Sequence, residues 1–404
     1  MSTNEQILNY PFSGNAALDP PAEWAELRQR RPVAQVTLPS GDPATLLTRY
    51  EDIKQVLSDP RFTWRLTEPD AARLSTTEDG GVLNSQLIAI LPDGKEEHQH
   101  WRRLVIKWFT TTRMNALRPA IAQTAETLID DMVARGAPAD LQAALGFPLS
   151  AYVICDMLGV PSADQHRISS WSDAMLNLTR YEKSEIDAAQ VEFFQYLSDH
   201  IAAKRAAPGD DLLSKLIAEG GPEDGGLPDS QILGAGIALL IAGHDTTASM
   251  VGKMVAMLLA ERIRWETLLA DPSLVRTAVE ESLRMDANAG FGDPRYLRDE
   301  TEVSGIRIPK GSTVICEKTS ANRDEDVFED ATQFQLARNP NPHMTFGVGA
   351  HTCLGQVLAR TELQVVLEVL LHRLPTLDLA VPETQLERVD GLLTGRLREV
   401  PVCW

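Results

Sequence analysis

The sequence has little that would draw it to polyanions. Its 404 residues carry 57 Asp and Glu against 38 Lys and Arg, a net charge of −19, which disfavours generalised attraction to nucleic acid or to an anionic membrane surface. It is also poor in cysteine. The four, at 155, 316, 353 and 403, are too few and too scattered for a disulfide framework in a chain of this size, so each needs its own account. The first twenty residues lack both a basic segment and an apolar run, so neither a secretory signal nor a membrane anchor is expected, and a cytoplasmic protein is. There is no internal repeat and no low-complexity tract. What is present, 43% apolar and 24% charged residues, makes a globular chain long enough for one large domain or two of ordinary size.

Residues 33–38 and 44–49 flank the turn Pro39-Ser40-Gly41-Asp42 and predict a hairpin. Residues 50–58 predict a short helix ended at Asp59-Pro60, and 62–92 is loop-rich without being polar. Apolar spacings of three and four then predict helices over 95–109, 114–136, 141–158, 163–177, 184–206 and 210–218. The breaker EGGPEDGG at 219–226 leads through Pro228-Asp229-Ser230, a plausible cap, into the longest helical run. Within it, residues 232–243 are apolar on all faces. Twelve residues are too short to span a bilayer, so a helix at the centre of the fold is expected. Residues 302–316 and 397–402 predict small hairpins. The fold class is mainly α with small β-sheets.

The chemistry concentrates at Phe346-Gly347-Val348-Gly349-Ala350-His351-Thr352-Cys353-Leu354-Gly355, directly before a helical pattern over 356–374. A cysteine in a glycine-rich turn at a helix N-terminus meets backbone N–H groups and the positive end of the dipole, which favour thiolate. It is a ligand or a nucleophile. A buried free thiol, the common fate of an intracellular cysteine, explains neither the glycines nor the upstream aromatic, whereas it suffices for Cys155, Cys316 and Cys403. A zinc site of Cys353 with His343 and His351 finds no second nearby cysteine and no ordinary spacing.

The pattern at Phe346, Gly349, His351, Cys353 and Gly355 resembles the haem-binding loop of the cytochrome P-450 superfamily. Ala242-Gly243-His244-Asp245-Thr246-Thr247 is similar to the family's central-helix motif, and Glu281-Ser282-Leu283-Arg284 to its E-x-x-R. The resemblance runs over nearly the whole chain and implies one haem-thiolate domain, residues 1–404, with the haem between the central helix and the cysteine loop. It implies Cys353 as the thiolate ligand of haem b iron, pushing electron density toward bound dioxygen, with Phe346 and Gly347 packing the loop. It implies Asp245 and Thr246 as the proton relay, with Ala242 and Gly243 leaving room for dioxygen. On the residues alone, a hydroxyl bonded back to the preceding turn and a satisfied carboxylate remain open for that pair. Glu281 and Arg284 read alone as a surface ion pair; by resemblance they form, with Arg338, a structural triad. His98, Arg102, Arg295 and His351 match partners of the haem propionates.

Ala238, Ile241, Ala242 and Thr246 share one helical stripe, which puts the first two toward a substrate. By resemblance Leu87, Ala89, Ile90, Ala289 and Leu393 complete the walls, and their apolar or small character suits a bulky, largely apolar small molecule. A fainter likeness in 86–90 and 287–292 points to the subgroup that couples tryptophan-containing diketopiperazines. No flavin or iron–sulfur pattern is present, so the resemblance implies electrons from NAD(P)H through a ferredoxin and its reductase. Arg103, Lys107, Arg113 and Arg360 are candidates for their docking patch. Two readings of other classes stand beside the haem-thiolate oxidase: a haem-binding sensor or carrier without turnover, and a cysteine hydrolase using Cys353 with a histidine base.

Overall fold

Strand β1 (Leu8–Asn9) lies parallel to β2 (Val33–Thr37), which returns antiparallel as β3 (Pro43–Leu47), the expected hairpin. Gly41, at φ 87°, makes the reversal possible. Leu46 and Leu47, which point to opposite faces of β3, are both fully buried, as is Val36, so the hairpin packs into core on both sides of the sheet. The structure, a computed structural model, describes residues 7–404 other than 15, 79–80, 85–87, 89, 93, 222, 224–225 and 288–289.

Further along lie β4 (Phe62–Thr63), β5 (Ala139–Asp140), β6 (Asp293–Leu297), the hairpin β7 (Thr301–Val303) with β8 (Ile306–Ile308), and β9 (Thr313–Cys316). The main sheet has the order β1-β2-β3-β9-β6-β4. Distant segments thus meet in it, with Arg295 opposite Val314 and Leu46 opposite Ile315.

The helices are α1 (Ala22–Arg30), α2 (Tyr50–Ser58), α3 (Lys95–Ile106), α4 (Thr111–Arg135), α5 (Phe147–Leu158), α6 (Gln165–Met175), α7 (Lys183–Ala206), α8 (Leu212–Ala218), α9 (Asp229–Leu259), α10 (Arg262–Ala270), α11 (Val275–Met285), α12 (Lys318–Ala321) and α13 (Gln356–Arg373). Helices α2 to α9 and α13 follow the predicted segments, whereas α1, α10 and α12 lie where no helix was expected; residues 142–146 form a π-turn before α5. Its Gln142 side chain packs where a Cβ on Gly252 would stand, 2.1 Å away. That glycine lets the π-turn approach α9.

Helix α9 is longer than its apolar run. Its 31 residues are long and apolar enough to cross a membrane by length and composition, but most of its apolar window is buried against the protein. It packs on α5, α6, α7, α11 and α13 and is the axis of the main core. The expected cap at 228–230 takes a different form. Pro228 precedes the helix without a side-chain cap, and Asp229 lies in the first turn, favourable to the dipole. The C-terminal expectation is also corrected. Residues 397–402 do not fold back on themselves: β10 (Asp378–Leu379) pairs β13 (Pro401–Cys403), and β11 (Arg388–Val389) pairs β12 (Arg396–Leu397). Val400 between them exchanges hydrogen bonds with the Asp140–Leu141 segment, which divides the stretch between two sheets.

Candidate functional site

The cysteine loop is built by backbone conformation first. Gly347 and Gly349 take φ of 69° and 77°, a region costly for residues with a Cβ, and the Cys353 N–H closes the loop on the Phe346 carbonyl at 2.8 Å. A Cβ on Gly349 would stand 2.8 Å from the Leu57 carbonyl of α2. Gly355 is the N-cap of α13. Phe346 is half-buried beneath the Arg360 guanidinium, 4.4 Å from its ring centre. Cys353 is exposed while Cys155 and Cys316 are buried. Protein packed around the Cys353 thiol pushes its pKa up; the Gly355 N–H and then the charges of Lys318, Arg102 and Arg360 act the other way. Burial raises the Cys155 and Cys316 thiols to about 12, so neither is a ready nucleophile.

Three of the four expected propionate partners converge on this loop. His98 and His351 approach with ring centres 4.2 Å apart, and Arg102, one turn along α3 from His98, donates to the Thr352 carbonyl at 2.6 Å. Arg295 lies on β6, its guanidinium donating to the Pro294 carbonyl at 2.7 Å. A residue that sequence spacing did not single out stands by the loop instead. Lys318 pairs with Asp293 at 3.0 Å and donates to the Thr345 carbonyl at 3.1 Å, placing a further cation beside Cys353.

Upstream of the loop, Glu281 binds Arg284 through two bonds of 2.8 Å and Arg338 at 3.0 and 3.1 Å. Gln335 N–H and the Asn341 amide complete its shell. Arg284 also donates to the carbonyls of Asn322, Ala331 and Gln333. Burial raises the Glu281 pKa, but the guanidiniums and the amide outweigh it and hold the carboxylate below its ordinary value. Glu281 and Arg284 are fully buried, so this is not the surface ion pair that spacing alone suggests. It fastens α11 to the 331–341 segment.

On the opposite wall, Ala242 is exposed and Ala238, Ile241 and Thr246 are half-exposed on a helix whose other faces are mostly buried. The predicted stripe therefore borders open space. Gly243 does not share it. A Cβ there would stand 2.8 Å from Ile154 of α5, so Gly243 serves helix packing and only Ala242 faces the opening. Thr246 donates its hydroxyl to the Ala242 carbonyl at 2.6 Å, the local back-bond left open above. Asp245 is buried, held by Thr394 and by Arg396 at 3.0 Å. Thr394 was expected only as part of the wall turn 391–394 and not as a partner of Asp245, while Arg396 and Asp173, the second partner of Arg396, were not found from sequence. An arginine inside the apolar C-terminal turn was the available signal.

Ile90 packs against α9, where a Cβ on Gly234 would stand 3.0 Å from it, one turn before Ala238. Leu393 is half-buried, and its carbonyl accepts from the N–H groups of Gly290 and Phe291, so two predicted wall segments are bonded together. Leu87, Ala89 and Ala289 lie outside the described residues. The candidate docking cations are engaged: Lys107 with Glu219 at 2.8 Å, Arg360 with Glu280 at 2.8 Å, Arg103 with His100, and Arg113 over the Trp108 ring. Among the described residues no group of three metal-ligating side chains occurs.

The residues fit a haem. The loop of one accessible sulfur is met by two histidines and an arginine, and α9 presents accessible alanines at Ala238 and Ala242.

Comparison with known proteins agrees. The model of the family described as cytochrome P-450 matches residues 154–397. The chain is 38% identical to the mycinamicin IV hydroxylase/epoxidase of Micromonospora griseorubida and 39% identical to the nocardicin C N-oxygenase of Nocardia uniformis subsp. tsuyamanensis, over the full length of each. It superimposes on the crystal structure of the LnmA cytochrome P-450 hydroxylase of the leinamycin pathway of Streptomyces atroolivaceus with a TM-score of 0.87 at 37% identity, covering 98% of this chain and all of that one.

Proposed function

This chain belongs to the cytochrome P-450 family of haem monooxygenases, and from that premise we propose that it hydroxylates or oxidatively couples a bulky, largely apolar secondary metabolite. Bound there, haem would supply iron for activating dioxygen. Cys353 would hold it through its sulfur, with the Gly355 N–H tempering the sulfur's charge. His98, Arg102, Arg295 and His351 would hold the propionates, whose charges need cationic or strong donor partners in a partly buried place. Ala242 leaves its stretch of α9 open, and Asp245 with Thr246 would deliver protons there.

The observation that carries the reading is the convergence of His98, Arg102 and His351 on the loop of an accessible Cys353. The substrate side rests on the accessible stripe of Ala238, Ile241 and Ala242, with Ile90 and Leu393 nearby. These surfaces suit an apolar ring system, and a tryptophan-containing diketopiperazine is the specific candidate. Electrons come from NAD(P)H through a ferredoxin and its reductase, and the protein works in the cytoplasm.

A ligand screen watching the haem Soret band tests this, using diketopiperazines, indoles, mycinamicin IV, nocardicin C and a set of small polar compounds. At least one bulky apolar compound is expected to shift the band and to be oxidised when NADPH, ferredoxin and reductase are added. If diketopiperazines alone fail, the coupling assignment falls. If small polar compounds alone shift the band, the apolar-substrate reading falls with it.

A further inference from the structure

Arg396 is placed where neither the cysteine loop nor the substrate walls require a charge. It stands on β12 with its side chain only 12% exposed, over the Phe147 ring. Its guanidinium grips Asp173 of α6 through two bonds of 2.7 Å, and one of its nitrogens also donates to Asp245 Oδ1 at 3.0 Å. Thr394, two residues earlier, donates its hydroxyl to Asp245 Oδ2. Both oxygens of one buried carboxylate are thus held by one turn of the chain, about 150 residues away in sequence. The same face of α6 makes a second contact with α9, where Ser169 Oγ lies 3.2 Å from His244 Nε2. The turn is anchored in its own right by the Leu393 N–H on the Leu176 carbonyl.

We propose that Arg396 and Thr394 are positioning residues for proton delivery: they fix the Asp245 carboxylate in one orientation and tie that orientation to the packing of α6 and the C-terminal turn against the substrate. The inference rests on the reading above that Asp245 and Thr246 serve the oxygen chemistry. A carboxylate held by a guanidinium on one oxygen and a hydroxyl on the other cannot swing freely. The turn that holds it also carries Leu393, a candidate substrate wall, and Asp173 belongs to the helix that ends just before Leu176. A substrate that presses on either element therefore acts on Asp245 through two hydrogen bonds. Lysine is no replacement, because a single ammonium cannot bridge both carboxylates in the fork geometry of arginine.

The test uses haem-loaded protein with a plant-type ferredoxin, its reductase and NADPH, without organic substrate. Dioxygen uptake is compared in H2O and D2O for wild type, Arg396→Lys and Thr394→Val, and amide hydrogen exchange is followed over 165–175 in the same variants and in Asp173→Asn. Arg396→Lys is expected to slow uptake about tenfold, as a displaced proton donor does, to enlarge the solvent isotope effect, and to speed exchange of α6. Thr394→Val is expected to enlarge the isotope effect without speeding that exchange, and Asp173→Asn to speed it. An unchanged isotope effect in both Arg396→Lys and Thr394→Val overturns the proposal. Should Arg396→Lys fail to take up haem, Thr394→Val decides the relay claim and Asp173→Asn the coupling to α6. Failure of the family reading looks different: wild type itself would then lack the thiolate-type band of the reduced carbon monoxide complex.

Discussion

The two sides of the site are built in opposite ways. The cysteine loop itself is local: Phe346, Cys353 and Gly355 lie within ten residues, and two left-handed glycines bend that short segment. The opposite side is assembled from afar. Asp245 on α9 is held by Thr394 and Arg396, and Arg396 in turn by Asp173 on α6. A local loop is specified by backbone geometry that few residues can adopt, so it tolerates little change within itself, and it rests on the buried Glu281 cluster upstream of it. A distributed site depends on packing between elements, and its weak point is any contact that joins them.

The sharpest way to break the cysteine side is from beneath. Replacing Glu281 by Gln leaves two guanidiniums buried against a neutral amide, and breaking such a buried pair costs about 3–5 kcal/mol. Haem content and thermal midpoint are expected to collapse together; a variant that keeps both would deny the triad its structural role.

On the opposite side the expected loss is in rate. Thr246→Val removes the hydroxyl while keeping the shape of the side chain, and product formed per NADPH consumed is expected to fall about tenfold or more, with the reduced carbon monoxide spectrum unchanged. Preserved coupling would make Thr246 the simple back-bonded residue that its 2.6 Å contact with Ala242 also describes.

A third test separates the site from its support. Burial raises Glu317, which accepts from Tyr10 at 2.7 Å, to about 7. A carboxyl that holds its proton more tightly when folded favours the native state at low pH. That contribution is lost as pH climbs from about 4.3, the unfolded value, to about 7. Glu317→Gln is expected to flatten the fall in thermal midpoint over that range, an effect on the order of 4 kcal/mol. An unaltered profile would place the proton elsewhere.

The smallest effect compares two glycines of the loop. Gly347→Ala meets no atom within 4 Å and should cost about 1–2 kcal/mol of backbone strain alone. Gly349→Ala carries the same strain and also strikes the Leu57 carbonyl, so its midpoint should fall further. Equal losses would mean that contact with α2 is unimportant to the loop.

What could be read from sequence follows the same division. Most helix segments, the first hairpin and the cysteine loop were legible because each is governed by periodicity or by turn chemistry within a short window. Glu281 and Arg284 were legible as a pair, but their burial was not, since spacing cannot tell a surface face from a core one. Arg396 and Asp173 were missed because nothing local marks a partner 223 positions away. The 397–402 stretch was misread for a related reason: strand alternation was visible there, but the choice of partner lay with residues 139–140 and 378–379.

The most direct test of the whole account is the reduced carbon monoxide difference spectrum of wild type beside Cys353→Ser. Wild type should show the red-shifted Soret band of a thiolate-ligated haem, and the serine variant should lose it while any haem that remains gives a band at shorter wavelength. A thiolate-type band that survives in Cys353→Ser, or a wild-type protein that binds no haem, would contradict the assignment of Cys353 as the iron ligand.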